Sequence, residues 1–558
     1  MQLDRGPKLK SSPRRHQRNR HGRGTAPSHW PFPKASPPPS QSPERIFSMD
    51  FRSILFEDTA DRPADSATVP DYFSDLNCDQ IVDAITTGKE EYKLKPFFYT
   101  CLRSVETIKY RHSVMQDLEN PSLLRRVNSF AQKMRDMRQY LAHVNKLRYK
   151  EQQEAWFLDA IENYCETISS FADDLSNIVL KSSGFIGFRE YLMSYASSAR
   201  FSSLWSETKK LKTDLSAVKY SVLINGDKFT VYKYGLETDY SMEVEETFEK
   251  FAQGAVKDYR VQFKATDEMN HVEAKILEFV AKLHPDVFVA LEDYCNRNAH
   301  YLDKTIAVFD REIQFYISYL DYIAVLKRAG LQFCYPQISD KNKDIYDREG
   351  FDIALAHKLV KENSSVVCND FQLAGEERIL VVSGPNQGGK TTFARTFGQL
   401  HHLTNIGCPV PGREAQLFHF DQLFTHFEKE EKVENLRGKL EDDLIRVHGI
   451  FKKATSQSII IMNEVFTSTT LQDEIFLSTK VMEKVVGLDL LCVWVTFVDE
   501  LTSFGPQTVS MVSTVVPDNP AQRTFKIVRR PADGLAYAMA IAQKYRLTYD
   551  SIRERIMS

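Results

Sequence analysis

The residues best suited to chemistry lie in one loop, residues 384–391, which has the sequence GPNQGGKT. The loop matches G-x-x-x-x-G-K-[ST], the pattern of a phosphate-binding loop. Its glycines let backbone N–H groups approach phosphate oxygens with no Cβ atom in the way. We expect Lys390 to reach the β- and γ-phosphates of a nucleotide and the Thr391 hydroxyl to bind Mg²⁺. The alternative is a glycine turn that fits the pattern by chance.

The segments on either side of the loop predict the elements that position it. Residues 379–382 are an apolar run typical of a buried strand, and a helical pattern begins at Phe393. A strand, a glycine loop and a helix in this order favour a genuine phosphate-binding loop, and the amino terminus of such a helix attracts anions. The predicted nucleotide-contacting residues are Gly384, Pro385, Asn386, Gln387, Gly388, Gly389, Lys390, Thr391 and Thr392.

A second apolar run, residues 458–462, ends in the polar pair Asn463 and Glu464. In P-loop ATPases the first position is normally an aspartate that holds Mg²⁺ through water, and the second is a glutamate that polarises the attacking water. We therefore predict Glu464 and Lys390 as catalytic residues, and Thr391 and Asn463 as the Mg²⁺ site, with ATP and Mg²⁺ as cofactors. Asn463 brings no negative charge, so we expect weaker Mg²⁺ retention. The alternative for Glu464 is a solvated carboxylate at a strand end.

Length and composition limit the class of protein. A chain of 558 residues is long enough for roughly two to four domains. Its 42% hydrophobic and 26% charged residues are ordinary for a globular protein. The net charge of -3 leaves nucleic-acid binding to local patches or a partner subunit.

The cysteines and the apolar segments bear on where the protein works. The eight cysteines contain no C-x-x-C, which argues against a zinc site or a disulfide framework and suits a reducing cytosol. We find no run of about 18 apolar residues that could cross a membrane and no apolar signal segment at the start. We expect a cytoplasmic protein with no membrane contact.

Composition and the spacing of apolar residues along the chain predict three regions. Residues 1–48 are rich in proline and arginine and are predicted to be disordered; Met49 is the alternative start of the protein. Residues 49–332 are predicted to be helical, because apolar residues recur at three- and four-residue steps. Residues 333–558 alternate short apolar runs with helices, which predicts an α/β domain. Residues 379–382, 458–462 and 490–496 are its predicted buried parallel strands.

One β-hairpin is predicted inside the helical region. Apolar and polar residues alternate on both sides of Asn225 and Gly226. We place this pair at the two central positions of a type I′ turn, where both residues need a positive φ. The hairpin is either a tip that touches a ligand or a stabilising flap.

With these residues in view, the chain resembles the MutS family of DNA mismatch-repair ATPases. The similarity is densest over residues 369–556 and rests on many motifs in order. Thr469, Thr470 and Asp473 also fall on family-like positions. The matching segments are ND at 369–370, SGPNQGGKTT at 383–392, IGCPVP at 406–411, AT at 454–455, MNE at 462–464, ELT at 500–502 and PADG at 531–534.

The resemblance implies a multidomain fold. An α-helical core and lever domain with a small β-hairpin insertion would be followed by an α/β P-loop ATPase domain of the ABC-like kind. Two such chains would pair through their ATPase domains as a homodimer, with DNA held between the levers.

The departures from the family pattern affect both recognition and turnover. The chain before Asp71 is too short for the family's mismatch-reading domain. Gly438 stands at the signature serine position, Phe497 replaces the histidine that senses the γ-phosphate, and residues 466–468 (FTS) replace the family's G-R-G. Lost polar contacts remove transition-state stabilisation, each on the order of a few kcal/mol at most. We expect slow hydrolysis, or hydrolysis gated by DNA.

Three functions remain open from the sequence. The first is a dimeric, nucleotide-gated DNA clamp in repair or recombination. The second is a nucleotide-binding assembly switch with little hydrolysis, which would act on protein partners. The third is an ATPase that remodels proteins without DNA. Candidate DNA contacts near the hairpin, which are otherwise solvated lysines, are Lys209, Lys210, Lys212 and Lys228.

Overall fold

The computed structural model describes residues 51–58, 62, 67–226, 228–235, 269–428, 438–517, 519–532, 545 and 547–557. Residues 49–558 form one compact unit. The predicted disordered segment, residues 1–48, lies outside the described residues. Among the described helices, none has the length and apolar character needed to span a bilayer.

The first half of the described chain is helical, as predicted. Local side chains fix several helix starts; the Asp303 carboxylate, for example, accepts the N–H groups of Thr305 and Ile306, which satisfies backbone donors that the helix leaves open. The helices are α1 (Cys78–Thr86), α2 (Lys95–Tyr99), α3 (Val105–Leu118), α4 (Pro121–Val144), α5 (Lys150–Ser176), α6 (Ser183–Ala196), α7 (Ala199–Ser216), α8 (His271–Leu283), α9 (Pro285–Arg297) and α10 (Lys304–Arg328).

The predicted hairpin forms, but its turn lies one residue later than expected. Strands β1 (Tyr220–Asn225) and β2 (Lys228–Lys233) pair antiparallel, and Asn225 is the partner of Lys228. Asn225 is thus the last paired residue of β1, and the two-residue turn begins at Gly226 (φ +64°). The prediction that Asn225 and Gly226 form the centre of the turn is wrong by one position. The glycine takes the first left-handed position, which it adopts without steric cost.

The second half alternates strands and helices. The strands are β3 (Phe333–Cys334), β4 (Gln337–Ser339), β5 (Ile345–Gly350), β6 (Asn369–Leu373), β7 (Ile379–Ser383), β8 (Val410–Pro411), β9 (Glu414–Phe418), β10 (Leu423–Phe427), β11 (Ile459–Asn463), β12 (Leu491–Val495), β13 (Thr508–Val516) and β14 (Asn519–Arg529). The helices are α11 (Ile353–Lys361), α12 (Lys390–Asn405), α13 (Lys439–Lys453), α14 (Leu471–Leu488) and α15 (Tyr549–Met557).

The main sheet has six described strands in the order β10-β11-β12-β7-β13-β14. Its pairs are parallel except for β13 and β14, which are antiparallel. The parallel pairing predicted for residues 379–382, 458–462 and 490–496 is confirmed, with strand ends displaced by one residue. Every residue of β7, β11 and β12 is buried, as expected when helices cover both faces of a parallel sheet.

Most residues of helix α12 are buried, and the helix is hydrogen-bonded to the helical half. The Gln399 amide donates to the carbonyl oxygen of Leu76 (2.8 Å), and the Leu102 N–H donates to the carbonyl oxygen of Asn405 (2.8 Å). Leu400 and Leu403 of α12 belong to the same apolar cluster as the aromatic side chains of α10. One hydrophobic core therefore runs through both halves of the described chain.

Candidate functional site

The predicted phosphate-binding loop connects β7 to α12. Gly384 (φ +111°) and Gly389 (φ +91°) have backbone conformations that L side chains rarely adopt, which explains glycine at both positions. Gly389 directly precedes α12, so the helix begins at Lys390 and not at the predicted Phe393. The positive φ of Gly389 ends the loop, and Lys390 already lies in the first helical turn, where backbone N–H groups are open to an anion.

Gly388 is required by a close approach from β13. A Cβ atom on this residue would lie 2.2 Å from the Ser513 Oγ, and that hydroxyl donates to the Gly388 carbonyl oxygen (2.7 Å). Ser513 therefore supports the loop from outside the motif. We did not identify Ser513 from the sequence, because it lies 125 residues from Gly388 and matches no local pattern.

Lys390 lies across the start of the loop. Its buried ammonium donates to the carbonyl oxygens of Gly384 (3.1 Å) and Pro385 (3.2 Å), and its Nζ lies 4.3 Å from the centre of the Phe497 ring. Burial lowers the pKa of Lys390, and the nearby Glu464 carboxylate opposes that shift. A desolvated ammonium at this place is suited to pair with an anion, because its attraction is weakly screened.

The structure brings together the two predicted Mg²⁺ ligands. The Thr391 hydroxyl donates to the Asn463 side-chain carbonyl oxygen (3.0 Å). Thr391 lies in the first turn of α12, and Asn463 is the last residue of β11. Hydroxyl and amide oxygens both suit Mg²⁺, which is usually held by few protein ligands and several waters. The residues fit the ion, but the amide adds no charge to hold it.

Glu464 follows Asn463 in a left-handed conformation (φ +53°). Its N–H donates to the carbonyl oxygen of Val495 (2.9 Å), which fixes the residue at the carboxyl end of the sheet. Phe466, also left-handed (φ +68°), is fully buried and anchors the turn. The Glu464 carboxylate opposes the lowering of the Lys390 pKa that burial causes. Glu464 follows the last residue of β11, and Lys390 begins α12.

The other predicted loop residues are described by their backbone conformation and backbone hydrogen bonds. Gln387 has a positive φ (+59°), and the Asn386 carbonyl oxygen accepts a hydrogen bond from Arg523 Nε (3.1 Å). The Thr392 carbonyl oxygen accepts the Thr396 hydroxyl (2.9 Å) inside α12. We did not identify Arg523 from the sequence either, since it stands 137 residues away from Asn386.

Two of the family-like motifs hold strands in place. The Asn369 side chain accepts the Ile527 N–H (2.8 Å) and donates to the Phe525 carbonyl oxygen (3.2 Å), which joins β6 to β14. Asp421, before β10, accepts the hydroxyls of Thr455 (2.6 Å) and Ser458 (2.8 Å), which fixes the start of β11.

The other described motif residues lie at the starts of helices or in a short turn. Thr470 caps α14 through the Asp473 N–H, and Gly438 is the exposed residue that precedes α13. Glu500 is exposed in a short 3₁₀ turn, Asp499–Ser503. Gly534 of the PADG segment lies outside the described residues.

The predicted DNA-contacting lysines are not equivalent. Lys212 pairs with Asp159 (2.6 Å) and Glu162 (3.0 Å), so its charge is locally compensated. Lys209 Nζ lies 4.2 Å from the centre of the Trp205 ring on the exposed side of α7. Lys210 and Lys228 are exposed; we retain them as predicted contacts.

A mainly parallel sheet with a glycine loop between β7 and α12 defines a protein of the P-loop class. The family model of MutS domain V matches residues 380–548, and that of the MutS2 N-terminal domain matches residues 103–329. The chain belongs to the MutS family.

Curated relatives carry the description "DNA mismatch repair protein MutS". The protein of Caldicellulosiruptor saccharolyticus is 25% identical over 338 residues, 58% of this chain and 37% of that protein. The Thermotoga maritima protein is 22% identical over 286 residues, 50% of this chain and 34% of that protein. The Thermus aquaticus protein is 26% identical over 243 residues, 43% of this chain and 28% of that protein. The chain thus spans between 28% and 37% of the length of these relatives.

Proposed function

We propose that this chain is an ATP-binding, DNA-binding protein of the MutS type, with slow or DNA-gated hydrolysis. The observation that carries the proposal is the hydrogen bond from the Thr391 hydroxyl to Asn463, which joins the helix after the glycine loop to the end of β11. Lys390 and Glu464 are the chain neighbours of these two residues. These residues come from two motifs that are far apart in the chain. The mismatch-repair description of the relatives supports DNA as the partner.

In the proposed reaction each residue has one role. The loop backbone holds the phosphates, and Lys390 neutralises the β- and γ-phosphate charge. Thr391 and Asn463 would hold Mg²⁺, which neutralises charge that develops on the phosphates when it is bound. Glu464 orients and polarises the attacking water. Because Asn463 is neutral, the metal is held less firmly than by an aspartate, and we expect slow turnover.

The two regions of the chain have different roles in the proposed function. Residues 49–332 would act as the core and lever region on DNA, and residues 333–558 as the ATPase domain. Two copies would pair through the ATPase domains. The hydrogen bonds from α12 to Leu76 and Leu102 support a direct mechanical link between the two regions. The eight free cysteines suit work in a reducing cytoplasm.

Steady-state ATP hydrolysis tests the proposal. The full chain would be assayed without DNA and with perfect, mismatched and branched duplexes, beside Glu464→Gln. We expect one DNA form to stimulate turnover and the variant to abolish the stimulation. Salt-sensitive DNA binding in at least one nucleotide state is also expected, because phosphate contacts release counterions. The absence of DNA affinity in every nucleotide state would refute the DNA part.

A nucleotide-binding assembly switch is the second candidate. The neutral Asn463, the bare Gly438 and the apolar Phe497 favour it, because each removes a polar group from the expected reaction. Binding energy would then shift an assembly equilibrium without turnover. ATP-dependent dimerisation with turnover equal to that of Glu464→Gln would support this candidate. A monomer in saturating ATP would exclude it.

Asn463→Asp is expected to strengthen Mg²⁺-dependent nucleotide binding. A carboxylate beside Thr391 adds a negative charge at the predicted metal site, so the Mg²⁺ concentration at half-saturation should fall by about fivefold to tenfold. Mg²⁺ titration at fixed ATP measures the change. Asn145→Asp is the control, because Asn145 is exposed at the end of α4, and it should leave the titration unchanged. An unaltered Mg²⁺ midpoint in Asn463→Asp would remove Asn463 from the metal site.

Phe497→Leu is expected to raise ATP affinity by about threefold, because a cation–π contact of Lys390 with a half-exposed ring contributes roughly 0.5–1 kcal/mol. The contact must be given up when the ammonium turns toward phosphate, so its removal favours the bound state. Fluorescent-nucleotide titration measures the affinity. Phe476→Leu is the matched control, since Phe476 is an exposed ring on α14. A weaker affinity in Phe497→Leu would mean that the ring contacts the nucleotide itself.

A further inference from the structure

Strand β10 lies at one edge of the main sheet, and its outer side is unpaired in the described part of the chain. The Ile459 N–H donates to the Gln422 carbonyl oxygen (2.9 Å), so the backbone groups of Gln422 and of every second residue after it face β11. Those of Leu423 and Thr425 face outward. Among the described residues, none forms a hydrogen bond with the N–H or carbonyl group of Leu423 or Thr425. The edge therefore offers two donors and two acceptors.

A cavity of about 770 Å³ lies along this edge, lined by residues of β10, of α13 and of the segment 67–75. We call it the β10 groove. Helix α13 runs beside β10 in the opposite direction, because Arg446 Nη1 donates to the Phe427 carbonyl oxygen (3.0 Å) and the Gln422 side-chain amide donates to the Lys453 carbonyl oxygen (3.5 Å). Helix α13 therefore forms a wall along the whole length of the strand.

The two walls of the β10 groove lie on opposite faces of the sheet. Ile450 of α13 belongs to the same apolar cluster as Ile460, whereas Tyr72 of the segment 67–75 belongs to the cluster of Ile459. Successive residues of β11 point to opposite faces. A strand that extends the sheet beside β10 would therefore present alternate side chains to the two walls.

The two walls carry opposite charges. Arg446 and Lys453 lie on the α13 wall, and neither forms an ion pair with any residue that the structure describes. Asp71 and Asp75 lie on the other wall; Asp71 is exposed, and the Asp75 carboxylate accepts a hydroxyl of β10 (2.6 Å). Asp421, before β10, already accepts two hydroxyls near the start of β11. An added strand is complementary when its acidic side chains face α13 and its basic side chains face residues 67–75.

We propose that the β10 groove binds an extended peptide segment of a partner protein, which adds a strand to the sheet with acidic residues toward α13 and basic residues toward residues 67–75. Unpaired backbone groups at a sheet edge are the template for such pairing, and β10 (LFTHF) has none of the lysines or prolines that block it. Backbone hydrogen bonds supply the affinity, and alternate side chains supply the specificity. The site is independent of the proposed nucleotide site.

The spacing of the α13 wall sets the length of the peptide. Arg446 and Lys453 are about 10 Å apart along the helix axis, and three alternate residues of a strand span about 13 Å. Three alternate side chains therefore reach Arg446, Ile450 and Lys453 in turn. The peptide EKVKE meets this pattern, since its glutamates and valine would face α13 and its lysines would face residues 67–75.

The test is a titration of end-blocked, fluorescein-labelled EKVKE with the full chain, followed by fluorescence anisotropy. The control peptide EEVKK has the same composition, but each wall would meet one acidic and one basic residue. We expect EEVKK to bind at least about tenfold more weakly. Methyl groups on the two lysine nitrogens, or on the valine nitrogen, remove donors from opposite edges of the peptide. One of these two changes should abolish binding and the other should not, because only one edge pairs with β10.

Gly449 allows the groove to be filled from the protein side. It lies on α13 in the lining of the groove, and a Cβ atom on it would meet nothing within 4 Å. Gly449→Leu should lower the affinity for EKVKE by at least about tenfold, without lowering the thermal transition, because leucine favours a helix over glycine. Gly487→Leu is the matched control, since Gly487 is an exposed glycine of α14 with equally open surroundings; it should bind EKVKE as the wild type does.

Several results would overturn the proposal: no binding of EKVKE at millimolar concentration, equal affinity for EKVKE and EEVKK, equal effects of the two methylations, or wild-type affinity in Gly449→Leu. Self-association of the chain that Gly449→Leu abolishes would show that a second copy, and not a partner protein, occupies the groove. Should Gly449→Leu unfold, Lys453→Glu provides the same comparison, because it reverses an exposed charge on the α13 wall and should weaken the binding of EKVKE.

Discussion

Lys390→Ala is expected to lower ATP affinity by about 100-fold, because the ammonium contributes charged hydrogen bonds in a desolvated place. The side chain is buried, and its donors already point at the start of the loop. Alanine removes the charge without altering the glycine geometry that shapes the loop. Titration with a fluorescent ATP analogue measures the loss.

The control for Lys390→Ala is Lys480→Ala. Lys480 lies on α14, where it pairs with Glu483 on the surface, and its replacement should leave ATP affinity unchanged. The thermal transition of Lys390→Ala without nucleotide should stay close to that of the wild type, since the lost hydrogen bonds reach only loop carbonyls. Wild-type ATP affinity in Lys390→Ala would show that residues 384–391 are a glycine turn and not a nucleotide site.

Arg111→Ala is expected to lower the free energy of unfolding by about 3 kcal/mol, through a cavity and two unsatisfied carbonyls. The Arg111 side chain is 1% exposed. It donates to the carbonyl oxygens of Leu55 (3.0 Å) and Ile406 (2.7 Å). Its guanidinium also lies 4.8 Å from the centre of the Phe56 ring and 4.9 Å from that of Phe315.

Arg111 joins three distant parts of the chain. Leu55 belongs to the segment before α1, Phe315 to α10, and Ile406 follows the end of α12. Loss of the arginine should therefore loosen the contact between the helical half and the nucleotide-site helix. Urea unfolding followed by circular dichroism measures the change in stability.

The matched control for Arg111→Ala is Arg125→Ala. Arg125 is exposed on α4 and bonds to the Pro121 carbonyl within its own helix (3.2 Å), so its loss should change stability by less than about 0.5 kcal/mol. An Arg111→Ala protein as stable as the Arg125→Ala protein would contradict this expectation. It would mean that the free energy of desolvating the guanidinium equals the free energy of its hydrogen bonds and ring contacts.

Local patterns in the sequence determined much of the fold and the centre of the site. The apolar runs before Gly384 and Asn463 predicted two buried parallel strands, because strands covered on both faces lack polar alternation. The spacing of the glycines and Lys390 predicted the loop. The recurrence of apolar residues in the first half predicted its helices. Each of these signals is carried by residues that are close in sequence.

The tertiary structure alone decided what surrounds that centre. Ser513 and Arg523 reach the loop because β13 pairs beside β7 and the register of β14 shifts. Phe497 faces Lys390 because β12 ends next to β7. The hairpin turn begins at Gly226 and not, as predicted, at Asn225. The pairing of the two strands, and not the Asn-Gly dipeptide, sets which residues remain unpaired. Contacts across 100 or more residues leave no periodic trace in one sequence, since they depend on how separate elements pack.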